Sequence, residues 1–503
     1  MKPLLLIFLT AATFSSIAQK VIFPENATGE RQRNVRYFQV IGKIQNHFLV
    51  YENEKNQNFI QVYDDSMNMK RNIKLTFHPQ KFLFTKFVNY PDFAWMIYVY
   101  RRNNKDYFMT AKINGNGEVV GEPKVLDTTH VKVGTTAFIN VLSSNDKSKI
   151  LIYKDHRQLD KVDFTNLVFN SDMELLHKAS NETYYDRNKE IFDNFSINNE
   201  GDWIFTREKH GDLHTFPRGE IETAQLYIQR HNQDSFETQK LPIKNISLQT
   251  LALNIDNLNN KIILNSLYSL SQDVEGLYTA VWNEKEGSWF SSKAIPLGNG
   301  IRAIANTKRS PEKALNDFYI HHVILKKDGG FIVLAEQRKS VYTTSAPSIP
   351  DKGSEHFLYD TYQKNGRNFL GSEPTDLNSH LSGADYGNIL VLDANNKGDL
   401  EWGNVIPKDQ FGDAEFSWIS FATVYRGDKI NFLYNEPYKQ VWLLQNQSIT
   451  ATGKVIANPL IHQTWRKIIF IPSRGRQVSA NEFIIPVLHN NNLCFAKIIY
   501  QNS

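Results

Sequence analysis

The chain has 503 residues, with 57 basic and 53 acidic side chains, and carries a formal charge of +4 with the two signs interspersed. That distribution excludes the clustered lysine and arginine of a nucleic-acid footprint. A single cysteine, Cys494, excludes an intramolecular disulfide, so burial alone has to hold the fold. Set in the strand-like run "NNLCFAKIIY", Cys494 reads as a small buried hydrophobe.

The N-terminus, "MKPLLLIFLTAATFSSIAQ", carries Lys2, an apolar stretch from Leu4 to Leu9, and small residues at Ser16 and Ala18. This is the pattern of a secretory signal peptide over 1–18, cleaved after Ala18 and too short to span a bilayer. No cysteine follows to take a lipid anchor, and no other stretch approaches the length of a membrane span. The expectation is an exported chain whose residues 19–503 form one domain.

Beyond that point, aromatics are frequent (12%), long amphipathic helical patterns are nearly absent, and no Pro/Ser/Gly-rich linker divides the chain. Short apolar or alternating runs recur in fours, at the spacing of propeller blades. After a spare run, "KVIF" (20–23), the first unit reads "YFQVIGK", "HFLVYEN", "FIQVYDD" and "KRNIKLTF". The second reads "FTKFV", "FAWMIYVY", "YFMTAKI" and "EVVGEPKVL", with the hairpin turn "NGNG" between its last two runs. "AFINVL", "KILIYK", "FTNLVF" and "ELLHKAS" form the third. "FDNFSI", "DWIFTRE", "AQLYIQR" and "FETQKLPI" form the fourth. The fifth is "TLALNI", "KIILNSLY", "LYTAVW" and "SWFSSKAIPL". The sixth, "YIHHVIL", "GFIVLAEQ", "NILVLD" and "LEWGNVI", is broken by an insertion at 338–386. The seventh is "ISFATVY", "KINFLYN", "VWLLQN" and "KVIANPLI". The last has only "RKIIFIP", "EFIIPVL" and "LCFAKIIY", and the spare N-terminal run fits its vacant place. The expectation is all-β: a single closed β-propeller of eight blades, with seven as the alternative, and the N-terminal strand completing the last blade.

"YGNILVLDANNKGDLEWGNVIPKDQ" (386–410) places Asp393, Asn395 and Gly398 at the first, third and sixth positions of a calcium loop. Lys397 then stands where a ligand is needed and Asn404 where the closing Glu belongs. Asp393 to Gly398 therefore reads as a hairpin turn. Metal and cofactor are both expected to be absent.

Two pieces of the sixth unit, "KKDGGFIVLAEQ" (326–337) and "GNILVLDANNKGDLEWGNVIPKDQ" (387–410), resemble a group of uncharacterised exported proteins of Bacteroidota, as does "KINFLYNE" (429–436). The resemblance covers about 110 residues. It implies an exported propeller of the bacterial cell envelope, periplasmic or peripheral to the outer membrane, and brings no catalytic residues. Extracellular release stays open, though the C-terminal sorting domain common in that phylum has no counterpart. "LDANNKGDLEW" is also similar to the docking motif of quinoprotein propellers, with one residue inserted before Gly398. That likeness implies that Trp402 packs between blades.

No nucleophile elbow, zinc spacing or phosphate loop occurs. The pair His321–His322 lies in a strand, so its rings are expected on opposite faces. "RGD" at 426–428 reads as a turn. Asp193, Glu208, Asp317 and Glu336 are the acids available to a carbohydrate-active enzyme, a glycoside hydrolase or lyase, working at a channel mouth. Loop length points elsewhere. Within a unit the first-to-second and third-to-fourth connections are short. The second-to-third connections, and those leading to the next unit, hold the long segments 154–162, 181–190, 207–223, 299–316 and 338–386. All would open on one face. The expected recognition surface for a protein or glycan is therefore Arg207, His210, His214, Phe216 and Arg218, with Arg338, Tyr342, His356, Tyr359, Tyr362 and Arg367 of the insertion. Arg and Tyr are strong interface types. A non-catalytic binding or assembly role leads, with the carbohydrate-active enzyme as the alternative.

Overall fold

A strand sandwiched between two neighbouring sheets buries both faces, and its sequence turns from alternation to a continuous apolar run. The second strand of each unit has this character. In Phe93–Arg102 every side chain from Ala94 to Val99 is buried, and in Glu482–His489 every one from Phe483 to Leu488. The outer strands do not: Met69–Lys74 and Leu175–Tyr184 are mostly exposed or half-buried. The computed structural model describes residues 19–25, 35–55, 57–77, 82–130, 136–211, 220–270, 273–305, 315–342, 368–369, 381–412, 419–438, 441–458, 460–461 and 468–500. The expected signal peptide, 1–18, lies outside them.

Among these residues the strands form antiparallel units of four in chain order. The first is Val35–Ile44, His47–Glu54, Gln57–Tyr63 and Met69–Lys74. The second is Phe84–Asn89, Phe93–Arg102, Lys105–Asn114 and Val119–His130; the third runs from Thr136–Ser143 to Leu175–Tyr184. The fourth, Glu190–Ile197 to Glu237–Lys240, and the fifth, Ala252–Asp256 to Ser288–Pro296, share one nine-stranded sheet through the short bridge Ser247–Leu248. The sixth comprises Phe318–Leu325, Phe331–Tyr342, Leu381–Ala394 and Leu400–Ile406, and the seventh Phe421–Arg426 to Val455–Ala457. The last has Ile468–Phe470, Glu482–His489 and Asn492–Ile499, and its fourth strand is Lys20–Ile22. Val21 stands opposite Ile498 in that pairing.

The cores lie between units. Ile41, Leu49, Phe87 and Met96 join the first to the second, and Ile139, Ile150, Ile97 and Phe108 the second to the third. Tyr153, Phe164, Phe192, Trp203 and Phe205 form an aromatic layer between third and fourth. The series continues unit by unit to the last, which packs on the first through Val40, Phe48 and Val50 against Ile484, Leu488 and Phe495. Polar contacts reinforce that junction: Lys43 pairs with Glu482 at 2.9 Å, and the buried Lys497 reaches Asp65 at 2.5 Å.

The turns follow the expected chemistry. Asn114, Asn170 and Asn395 each open a third-to-fourth turn. Their side-chain oxygens accept backbone N–H groups two and four residues on. Asp393–Gly398 is such a turn, with Gly398 at φ 80° and Asp393 paired to Lys326 at 2.9 Å. Trp402 packs between sheets as expected. Its ring lies 2.7 Å from where a side chain on Gly453 would begin, and its Nε1 donates to Ala451 O at 3.1 Å. In "RGD", Arg426 ends the strand Phe421–Arg426, and Gly427–Asp428 is the two-residue turn to Lys429–Tyr438. Cys494 is buried and unbridged.

Several expected loops are strand. Residues 154–162 belong mostly to Lys149–Arg157 and Lys161–Asn170, which stay paired out to Arg157 and Val162. Segment 181–190 shortens to the residues between Tyr184 and Glu190, and 299–316 begins with a helix, Asn299–Ala305. Sequence patterning stopped each strand where the apolar run ended. The ladder continues because its backbone bonds do not depend on apolar side chains.

The N-terminal strand is open to a direct test. Val21→Asp sets a carboxylate against Ile498 and should lower stability by roughly 1–3 kcal/mol. Deleting 19–24 should in addition leave the Asn492–Ile499 edge unpaired and produce self-association visible by size-exclusion chromatography. An unchanged unfolding midpoint and a monomeric profile would show that this strand does not complete the last sheet.

Candidate functional site

The strand extensions move the sequence-chosen residues. Arg207 and His210 lie in strand Trp203–His210, and Arg338 and Tyr342 in Phe331–Tyr342, so none of the four is a loop residue. His214, Phe216, Arg218, His356, Tyr359, Tyr362 and Arg367 lie outside the described residues. Of the insertion, Arg338–Tyr342 pairs with Leu381–Tyr386, and Asn368–Phe369 pairs with Phe138 and Ile139 at the start of the third unit's first strand.

At this end of the units an acid is followed two places on by a base, both on one face of the second strand. Asp155 takes Arg157 at 2.8 Å, Glu208 lies 3.4 Å from His210, and Glu336 accepts from Arg338 Nε at 3.1 Å. All three acids are buried. Glu208 also accepts from Asn194 Nδ2 and Thr206 Oγ1, each at 2.9 Å. Asn194 reaches it by sitting at φ 56° in a bulge of its strand. Arg207 points the other way, fixed by Glu190 at 2.8 Å, Tyr227 Oη at 3.2 Å and the Tyr184 carbonyl at 3.0 Å.

The most developed of these groups surrounds Glu336. Besides Arg338 it holds Lys408 Nζ at 3.0 Å and the Ser420 hydroxyl at 2.8 Å. Lys408 also donates to the Tyr386 carbonyl and to Gln410 Oε1, both at 2.9 Å, and burial pushes its ammonium pKa down despite the pull of Glu336. Gln410 in turn donates to the Asn435 carbonyl at 2.7 Å, and Asn435 Nδ2 to the Phe470 carbonyl at 2.8 Å. The network runs through the sixth, seventh and last units. Its members include Glu336 of "AEQ" and Lys408 and Gln410 of "IPKDQ", so these two segments help to hold units together. The arrangement neutralises Glu336 between two cations, which suits a fixed scaffold and not a proton donor.

The other end of the first strands carries a second group, which sequence reasoning set aside. His321 and His322 do not point apart. The pairing of Phe318–Leu325 slips by one residue between Ile320 and His322, and this bulge turns both rings to the same side. Their Nδ1 atoms lie 2.7 Å apart. His322 Nε2 is 3.0 Å from Tyr425 Oη and 3.3 Å from Thr423 Oγ1 on the seventh unit's first strand. Gln477 of the last unit brackets Tyr425, accepting its N–H and donating to its carbonyl, both at 3.0 Å. Burial raises the Tyr425 phenol pKa, so it stays protonated at neutral pH. Two imidazoles, a phenol and a hydroxyl in one chain of contacts can hold a proton or grip a polar ligand. A bulge has no letter signature, so only the adjacent histidines marked the place. Among the described residues no three of His, Cys, Asp and Glu are placed to hold a metal ion.

Units of four antiparallel strands with cores between successive units make this an all-β, propeller-like protein. No protein family matches the sequence and no curated protein does. Among solved structures, a Mycobacterium tuberculosis puromycin-hydrolyzing peptidase is 8% identical over 94% of this chain, with a TM-score of 0.40. Prolyl oligopeptidase B from Galerina marginata is 7% identical over 92%, at 0.39. The chain spans 61% and 56% of the length of these two proteins. A PL25 ulvan lyase is 9% identical, covering 81% of this chain and 90% of its own, at 0.36. These likenesses assign no residue and no activity. No helix among the described residues is long and apolar enough to cross a membrane.

Removing one partner of a buried ion pair leaves the other charge uncompensated, whereas removing both does not. Glu336→Gln or Lys408→Met alone should each cost about 3–5 kcal/mol in urea unfolding. The double variant should recover part of that loss, since Arg338 still loses its acid. Additive costs in the double-mutant cycle would mean that the two groups do not act as a pair.

Proposed function

We propose that the chain is a single closed propeller of eight blades, exported to the bacterial cell envelope, that binds a protein or glycan without transforming it. Support for closure comes from the core shared by the last and first units and from the N-terminal strand in the last sheet. The compartment follows the N-terminal pattern and the resemblance to exported Bacteroidota proteins, with a periplasmic or peripheral outer-membrane place.

The observation that carries binding over catalysis is the state of the acids. Glu336 is held between Lys408 and Arg338, and Glu208 by Asn194, Thr206 and His210. Asp193 accepts the Asn194 N–H at 2.8 Å and Asp317 the Asn316 amide at 2.8 Å. A carboxylate engaged in this way fixes structure. General acid catalysis needs a carboxyl free to give its proton to substrate. In this reading the recognition surface is the end where the insertion leaves the sixth unit, supported by the pairing of Asn368–Phe369 with Phe138 and Ile139 of the third.

The test replaces 343–380 by a short Gly-Ser turn and compares both proteins on an array of envelope glycans and in cross-linking to envelope proteins. Retention of the fold with loss of the ligand signal is expected. Unchanged binding would move the site elsewhere. Release of new reducing ends or unsaturated sugars from any glycan by the intact protein would establish the enzyme in place of the binder.

A further inference from the structure

Three cations from three units come together at the end opposite the insertion. Arg476, from the last unit, donates through Nη1 to the Val40 and Ile41 carbonyls at 3.1 and 2.7 Å, and through Nη2 to Asn89 Oδ1 at 2.8 Å. Its partners therefore belong to the first and second units. The last and second units are not neighbours in the order of packing, so a side chain that touches both stands at the centre of the assembly. Lys147, from the first turn of the third unit, donates to the Asn89 carbonyl at 2.7 Å. Lys86, three residues before Asn89 on the strand Phe84–Asn89, comes within the field of Arg476.

None of these cations is matched by an acid among the described residues. The contacts of Arg476 and Lys147 are with carbonyl and amide oxygens, and Lys86 Nζ makes no hydrogen bond or ion pair. Asp146, next to Lys147 in sequence, bonds instead to the Ser144 hydroxyl and the Ser148 N–H. The nearby Glu482 is already taken by Lys43 and Lys497. Burial first, and Arg476 second, push the Lys86 ammonium down to about 8 and lower that of Lys147. Some other cations withdrawn from water are paired with acids, Lys154 with Asp127, Lys326 with Asp393 and Arg207 with Glu190, while Lys261 and Lys149 rest singly on neutral oxygens. Charge gathered around a centre without a counter-charge costs solvation energy that a bound anion returns.

We infer that Lys86, Lys147 and Arg476 form a binding site for an oxyanion, either the carboxylate or sulfate of an acidic glycan or a free inorganic anion. Lys86 supplies the ammonium with open donors. Arg476, with three of its five N–H groups engaged, turns the remainder toward the ligand. This site lies opposite the insertion, and it stands whether or not the insertion recognises a partner.

Isothermal titration at low salt with oligogalacturonate, chondroitin sulfate, inorganic phosphate and neutral dextran tests the inference. At least one anion is expected to bind and dextran not to. Lys86→Gln should weaken the binding anion roughly ten- to a hundredfold, as loss of one charge-assisted hydrogen bond does. Its unfolding midpoint should stay level or rise, because an unpaired buried charge has gone. Lys147→Gln serves as the second variant and should weaken the same anion. Tight binding of the glycans alone identifies the polymer as ligand, and equal binding of phosphate identifies the free anion; both support the site. Absence of binding by all three anions, or affinity unchanged in a folded Lys86→Gln protein, overturns it.

Discussion

A sheet of four short strands has two faces and two edges to satisfy, and it can satisfy none of them alone. Everything else in this protein depends on the face-to-face packing of consecutive sheets. Each second strand is apolar on both sides because it meets a neighbour on both, and each core belongs to two units at once. Without disulfides, stability is therefore a property of the succession and not of any unit. The last sheet is the weak point, since its fourth strand comes from the other terminus of the chain.

That packing also decides where polar chemistry can go. With the strand middles closed to water, charge collects at the two ends of the first and second strands, and the two ends differ. At the insertion end the buried acids Asp155, Glu208 and Glu336 each have a base two residues on, and Glu336 a second across a turn. At the opposite end a bulge turns His321 and His322 together beside Tyr425, and Lys86, Lys147 and Arg476 gather without an acid among the described residues, while Lys43 and Lys326 there pair with Glu482 and Asp393. One end reads as scaffold around the insertion; the other has spare hydrogen-bonding and charge. The acid-x-base pairs at Asp155, Glu208 and Glu336 show how a repeat can be written in a physical device and not in identical letters.

Much of this was legible in the sequence. Four-run units, Asn-led turns, the Asp393–Gly398 hairpin and the displaced "KVIF" strand follow from local chemistry and period, and the place of Trp402 was implied by a resemblance. What was not legible has a common cause. Strands run on past their apolar stretch because backbone pairing continues, so Arg207, His210 and Arg338 lie in ladders, engaged by Glu190, Glu208 and Glu336. A one-residue bulge reverses the facing of His321 relative to His322, and nothing in the letters marks it. Lys86, Lys147 and Arg476 are scattered over 391 positions of the numbering and meet only because the last unit comes close to the second and third. "AEQ" and "IPKDQ" were visible as letters, but their role as one buried ion-pair network required the fold.

The claim on which the account rests is that the sheets close on one another through the N-terminal strand and so open as one unit. Native-state hydrogen exchange measures this residue by residue. The account predicts that the slowest amides of Asn492–Ile499 and of His47–Glu54 exchange with the same opening free energy, equal to that of global unfolding. A last sheet that exchanges through a separate, markedly lower-energy opening while the first remains protected would contradict it.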